Sequence, residues 1–201
     1  MCAHMSSSGA SAKLAAVSDF AATYKNTLSR ALDTIDLSNV VMAIEVLAEA
    51  RASGRTIFVC GNGGSASTAS HFSADLAKGA SFQHESRFRV HALTDSLPII
   101  TAYCNDVGYE SIFVEQLKNL AGADDVLVAI SASGNSPNVL RATEYANSIG
   151  CHTIALTGSD GGKLGAIAQL QIRVAEPHVG RIEDSHMAIC HMVSFYFMER
   201  T

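Results

Sequence analysis

Gly61-Asn62-Gly63-Gly64-Ser65 and Ser131-Ala132-Ser133-Gly134-Asn135-Ser136 are two glycine- and serine-rich stretches set in the same local context. Each follows a short apolar run, residues 56–60 (TIFVC) and 126–130 (VLVAI), and each leads into helical periodicity. Both loops therefore sit at strand-to-helix turns. Such a turn leaves backbone N–H groups free at a helix N-terminus, glycine lets an anion approach the main chain, and serine hydroxyls add donors. That is chemistry for holding a phosphate. Neither loop ends in Gly-Lys-Ser/Thr, so no lysine waits for a β/γ-phosphate and no magnesium ligand is implied. A single phosphate on a small molecule fits better. One glycine-rich turn after a strand is ordinary chain reversal, but two such turns in one parallel sheet can converge on a crevice at its topological switch point.

Working outward, apolar residues recur at helical spacing over about 13–35 and again over 38–52, with Gly54 as the stop. Further strands are expected near 88–93, 153–156 and 170–174, with helices at about 65–78, 99–105, 110–120, 136–149 and 181–200. This alternation predicts an α/β fold: a five-stranded parallel sheet covered on both faces, preceded by two helices. The last helix is apolar nearly all round, with Ile189, Cys190, Met192, Val193, Phe195, Tyr196 and Phe197, and is expected to be buried between subunits. Residues 1–12 are rich in Ser, Ala and Gly, and Ala3-His4-Met5 has the look of a cloning scar. They are expected to form a flexible tail, leaving 13–201 as one domain.

The 201 residues are 48% hydrophobic and only 16% charged, a low charged share that points to surface covered by other subunits. The net charge of −5, with no basic run, argues against nucleic acid and against anionic membranes. No apolar stretch approaches the ~20 residues of a membrane span, and no leader pattern is visible, so a cytoplasmic protein is expected. Cys2, Cys60, Cys104, Cys151 and Cys190 show no C-x-x-C spacing, which disfavours both a disulfide framework and a thiolate zinc site.

His71 and Asp75 are four residues apart on the helix after the first loop and so share a face. Glu183 and His191, eight apart on the last helix, are separated by only about 80° around the helical wheel. His191 lies in the most apolar segment, where an unpartnered polar group costs about 1–3 kcal/mol. A His, Asp, Glu, His set suits zinc, or alternatively supplies a base and an acid for proton transfer. Taken singly, each pair is an ordinary helix-face contact. His84, His91, His152 and His178 read as structural or solvated, and His186 at most supports the site from behind. Asn105-Asp106, expected in a loop between two helices, is either a capping pair or a reach toward sugar hydroxyls.

In combination, GNGGSA with His71-Phe72 after it, Asn105-Asp106, SASGNS, LTGSDGGKL from Leu156 to Leu164, and Arg181-Ile182-Glu183-Asp184-Ser185-His186 resemble the sugar isomerase (SIS) domain, and within it the phosphoheptose isomerases. The resemblance runs from about residue 56 to the C-terminus, with the two leading helices also in place. It implies a flavodoxin-like three-layer α/β/α sandwich and a homotetramer with active sites between subunits. It implies substrate binding by Asn62, Gly63, Gly64, Ser65, Asp75, Asn105, Asp106, Ser131, Ala132, Ser133, Ser136 and Glu183, with the serine loop taking the phosphate. The implied reaction is aldose–ketose isomerisation of sedoheptulose 7-phosphate to D-glycero-D-manno-heptose 7-phosphate, through a cis-enediol. Asp75 stands at the family's base, His191 at its acid, and His71, Asp75, Glu183 and His191 at the positions that hold zinc in members that bind it. Two residues depart from the family's pattern, which usually has Glu at position 75 and Gln at 183. Asp is shorter by one methylene, about 1.5 Å.

Two other functions compete. Non-catalytic SIS proteins bind a phosphosugar or a protein partner with similar serine loops but lack the acid histidine, which is present here. Gly61 to Ala66 also matches G-x-G-x-x-A formally, yet the acidic residue a dinucleotide site needs about 20 residues on is missing, since Asp95 lies farther away.

Overall fold

The computed structural model describes residues 7–200. Two helices lead, α1 (Ser7–Leu32) and α2 (Leu37–Ala52). There follow β1 (Thr56–Gly61), α3 (Gly64–Ala74), β2 (Arg89–Ala92), α4 (Leu97–Asp106), α5 (Val114–Leu120) and β3 (Val126–Ser131). The chain continues with α6 (Pro137–Ser148), β4 (His152–Gly158), α7 (Gly162–Ile167), β5 (Leu170–Val174) and α8 (Val179–Arg200). Local chemistry sets several ends. Asp36 caps α2 by accepting from the Ser38 N–H at 2.9 Å, and Pro137 opens α6, where its missing N–H has no partner to lose.

The sheet is all parallel in the order β2-β1-β3-β4-β5. Alternation along the central strands divides the core in two, because successive side chains point to opposite faces. Ile57, Val59, Val126, Val128, Ile130, Ile154 and Leu156 join a cluster with residues of α2, α3 and α8. Phe58, Cys60, Leu127, Ala129 and Ala155 join another with residues of α5, α6 and α7. The result is the expected three-layer α/β/α sandwich with two leading helices.

Several expectations need adjusting. Helix α1 begins at Ser7, inside the stretch read as a tail, and residues 1–6 lie outside the described residues. Asn105 and Asp106 form the last turn of α4 rather than a loop. The expected helix over 110–120 splits into a 3-10 turn, Tyr109–Ser111, and α5. Helix α7 was not anticipated. Helix α8 buries Ile189, Cys190, Val193 and Phe197 but leaves Met192, Phe195 and Tyr196 exposed in the single chain. Among the described residues Cys60, Cys104, Cys151 and Cys190 are free thiols, and no described helix is long and apolar enough to cross a membrane.

Candidate active site

Strands β1 and β3 are neighbours, and the chain leaves them in opposite directions across the sheet, β1 toward β2 and β3 toward β4. This is a topological switch point, and both serine loops open onto it. At the first loop Gly63 has φ +55°, a conformation that glycine adopts without strain. Gly61 is required for a second reason, since a Cβ there would come within 2.8 Å of the Ser65 Cβ and carbonyl oxygen. The Asn62 side chain is locked to α6: its Nδ2 donates to Asn138 Oδ1 at 2.9 Å, Asn138 Nδ2 donates back to Asn62 Oδ1 at 2.8 Å, and the Tyr109 hydroxyl donates to the same Oδ1 at 2.9 Å. Sequence reasoning missed Asn138 and Tyr109. The signal that could have found Asn138 is a second amide just inside a helix that starts at the second loop.

The second loop is held from behind by main chain. Gly134 has φ +63°, and a Cβ there would overlap the Gly161 carbonyl. The Gly158 N–H donates to Ala132 O at 3.1 Å, and the Leu164 N–H to Gly134 O at 2.9 Å. The glycines of LTGSDGGKL are thus a buttress for the serine loop. Ser131 is buried, with its Oγ 3.3 Å from Ser136 Oγ, while Ser133 is exposed and its Oγ accepts from the Asn135 N–H at 3.2 Å.

Helices α3 and α8 run side by side in the same direction, with Gly64 beside Glu183 at one end and His71 beside His191 at the other. A Cβ on Gly64 would overlap the Glu183 carboxylate. At the far end of α3 the helix widens into a π turn, Asp75–Gly79, where the Ala80 N–H reaches back to Asp75 O at 2.9 Å. There the two histidine Nε2 atoms are 3.2 Å apart, and Asp75 Oδ2 lies 3.5 Å from His71 and 3.9 Å from His191. Ser194 Oγ donates to the same carboxylate oxygen at 3.3 Å. His191 therefore finds the partners that its apolar helix demanded.

The structure brings together three of the four residues read as metal ligands, His71, Asp75 and His191, with donor atoms within 4.8 Å of one another. Glu183 stands apart from them, eight residues or about 12 Å along α8 from His191. It does not pair with Arg181, whose guanidinium instead meets Glu176 at 2.8 Å and holds that carboxyl below its usual range. Asn105 Nδ2 donates to Asp106 Oδ1 at 2.7 Å, and both side chains are exposed at the end of α4. Behind the second loop His186 is fully buried, and burial pushes its pKa down to about 4, with the Thr157 backbone pulling weakly the other way. Burial likewise pushes the Cys190 thiol up, helped by the charge of Asp75, so this neighbour of His191 stays a thiol.

Residues 19–158 match the SIS domain family. A phosphoheptose isomerase of Geobacter sulfurreducens is 43% identical over 150 residues, 74% of this chain and 78% of that one. One from Helicobacter pylori is 35% identical over 170 residues, 85% and 88% of the two chains. The structure of phosphoheptose isomerase GmhA from Neisseria gonorrhoeae superposes with a TM-score of 0.83 at 33% identity, over 90% of this chain and 98% of that one.

Proposed function

The chain belongs to the SIS-domain family, among its phosphoheptose isomerases, and on that premise we propose that it interconverts sedoheptulose 7-phosphate and D-glycero-D-manno-heptose 7-phosphate. The observation that carries this reading is one fold pairing a buttressed serine loop at the switch point with an Asp–His pair drawn from two helices. In this reading Ser131, Ala132, Ser133 and Ser136 hold the phosphate through hydroxyls and backbone N–H groups, while Asn62, Gly63, Gly64 and Ser65 meet the sugar. Glu183, Asn105 and Asp106 offer further polar groups to its hydroxyls.

Isomerisation requires a base that carries a proton between C1 and C2 and an acid that serves the oxygens. Asp75 takes a C1 proton from the ketose while protonated His191 donates to O2, giving the cis-enediol. Asp75 then returns its proton to C2, and the O1 proton passes to the His191 imidazole. Both side chains end as they began. Ser194 and His71 keep the Asp75 carboxylate in place for this transfer.

The donor set of His71, Asp75 and His191, two imidazoles and a carboxylate on converging helices, fits zinc with a fourth position left open. Zinc held there would require a deprotonated His191, and it would then stabilise negative charge developing on the sugar's carbonyl oxygen in place of the His191 proton. In this reading Glu183 is a substrate group rather than the fourth ligand. We also take the active enzyme to be a homotetramer with sites between subunits. Support comes from Met192, Phe195 and Tyr196, exposed at 41%, 47% and 42% on the helix that carries His191, a patch that a second copy can cover. The free thiols fit a reducing, cytoplasmic location.

The test is incubation with sedoheptulose 7-phosphate, followed by NMR of the product. Asp75→Ala and His191→Ala should each lower turnover by about 10²–10⁴-fold while leaving the unfolding curve in place. Wild-type turnover in both variants would sink the mechanism. For the metal, zinc should co-purify with the native chain and with Glu183→Gln but not with His71→Ala, as read by elemental analysis.

A further inference from the structure

Asn62 sits at the switch point with an amide whose orientation is fixed from a distance. The Val139 N–H, at the start of α6, can only donate, and it is shared between Ser136 O at 3.1 Å and Asn138 Oδ1 at 3.0 Å. That makes the other end of the Asn138 amide its NH₂ group. Asn138 Nδ2 must then face an acceptor, which is Asn62 Oδ1 at 2.8 Å, and Asn62 Nδ2 returns one hydrogen to Asn138 Oδ1 at 2.9 Å. Tyr109, from the 3-10 turn between α4 and α5, donates its hydroxyl hydrogen to Asn62 Oδ1 at 2.9 Å. The Asn62 oxygen thus has both lone pairs taken, and its NH₂ group keeps a single hydrogen uncommitted. Asn138 is 1% exposed, so the reciprocal pair is shielded from competing water.

We propose that Asn138 and Tyr109 are positioning residues for the isomerase. They hold Asn62 so that it meets the sugar phosphate as a hydrogen-bond donor and never as an acceptor. This rests on the isomerase reading above. Three elements, the β1 loop, the 3-10 turn and the first turn of α6, are cross-tied by this one amide, so the polarity of the floor between the two loops is set by a backbone N–H that no substrate touches. The oxygen-rich ligand that such a floor favours, a polyhydroxylated anion, is the substrate class already inferred. A ligand presenting a donor at this point would face a hydrogen with no acceptor.

Asn138→Asp tests the chain of orientation. It keeps shape and still accepts from Val139, but it cannot donate to Asn62 Oδ1, so one oxygen–oxygen contact replaces a hydrogen bond whichever way the Asn62 amide is turned, and the fixed orientation is lost. The expected result is a fall in kcat/KM of about tenfold or more, with Tyr109→Phe falling roughly threefold to tenfold, as for the loss of neutral hydrogen bonds. Both effects should nearly vanish when measured in an Asn62→Ala background, which a merely structural role would not produce. If Asn138→Asp does not fold, Tyr109→Phe at its exposed position decides alone. A native chain that isomerises, with variants that keep its constants or lose the same factor in the Asn62→Ala background, overturns the positioning role. A native chain that isomerises no phosphoketose overturns the isomerase reading instead, and this role with it.

Discussion

The two serine loops look alike in sequence and are built differently. The first is fixed by side chains, through the Asn62 amide, and has a carboxylate beside it, because Glu183 lies against Gly64 at the start of α3. The second is fixed by main chain, with Gly134 pressed on Gly161 and the 158–164 segment hydrogen-bonded into it, and the atoms nearest a Cβ on Gly134 are all backbone. Electrostatics then separates their roles. A phosphate dianion next to Glu183 meets a like charge, whereas the second loop offers serine hydroxyls and backbone N–H groups. On the proposed reading, the loop without a carboxylate against its glycine takes the phosphate, and the other orients the sugar.

The widest gap between the loops should appear on adding one methyl group. Gly134→Ala puts a Cβ into the Gly161 backbone at a positive φ and should cost roughly 3 kcal/mol or more of stability, together with phosphate binding. Gly64→Ala meets only the end of a flexible side chain and should cost about 1 kcal/mol or less. Equal shifts in chemical denaturation would erase the distinction between main-chain and side-chain support.

Acid should find the second loop first. His186 lies beneath it, near Thr157, the register partner of Ser131, with its folded pKa at about 4. An unfolded histidine titrates near 6.5, so as pH falls the unfolded chain binds this proton before the folded one does. The group is neutral in its effect above about pH 6.5, and by pH 4 it has removed on the order of 3 kcal/mol. His186→Leu should flatten that part of the stability–pH curve. An unchanged slope would mean that the imidazole reaches water.

Calorimetry with a sugar phosphate compares the hydroxyls directly. Ser131→Ala and Ser133→Ala should each weaken binding by roughly 1–3 kcal/mol, the range for hydrogen bonds to a charged group, and Ser65→Ala by less. A larger loss at Ser65 would exchange the roles of the loops. The smallest effect expected is at Glu183→Gln, which should tighten inorganic phosphate about twofold to fivefold by removing a nearby negative charge. Weaker binding in that variant would instead make Glu183 part of the phosphate's own hydrogen-bond network.

Much of this was legible in the sequence for a physical reason. Strands such as 126–130 are buried on both faces, so they read as unbroken apolar runs, and His71 and Asp75 share a face by helical spacing alone. What was hidden depends on partners far along the chain. Helix α7 forms from Gly162 and Lys163 because the second loop receives its N-terminal turn, with the Lys163 N–H donating to Asn135 Oδ1 at 3.2 Å. The π turn at Asp75 has no residue signature beyond Gly79, whose Cα is close to the Met198 methyl. Glu183 shares a helix face with His191, but its height along that helix sets it beside Gly64, and an angular argument carries no information about height.

The strand order also has a kinetic meaning. Ile57 pairs with Val126 across the largest sequence separation in the sheet, shortened only where β2 pairs with β1, so the β1–β3 contact carries a large loop-closure cost. That pairing is the seam on which both serine loops open. On the proposed reading, a sugar phosphate gripped from both sides would act as a removable staple between the earlier and later halves of the chain, adding RT ln(1 + [L]/Kd) to that contact. Amide exchange along β1 and β3 should therefore slow on ligand binding more than exchange along β5, and the chain should unfold more slowly in the presence of its substrate without refolding any faster.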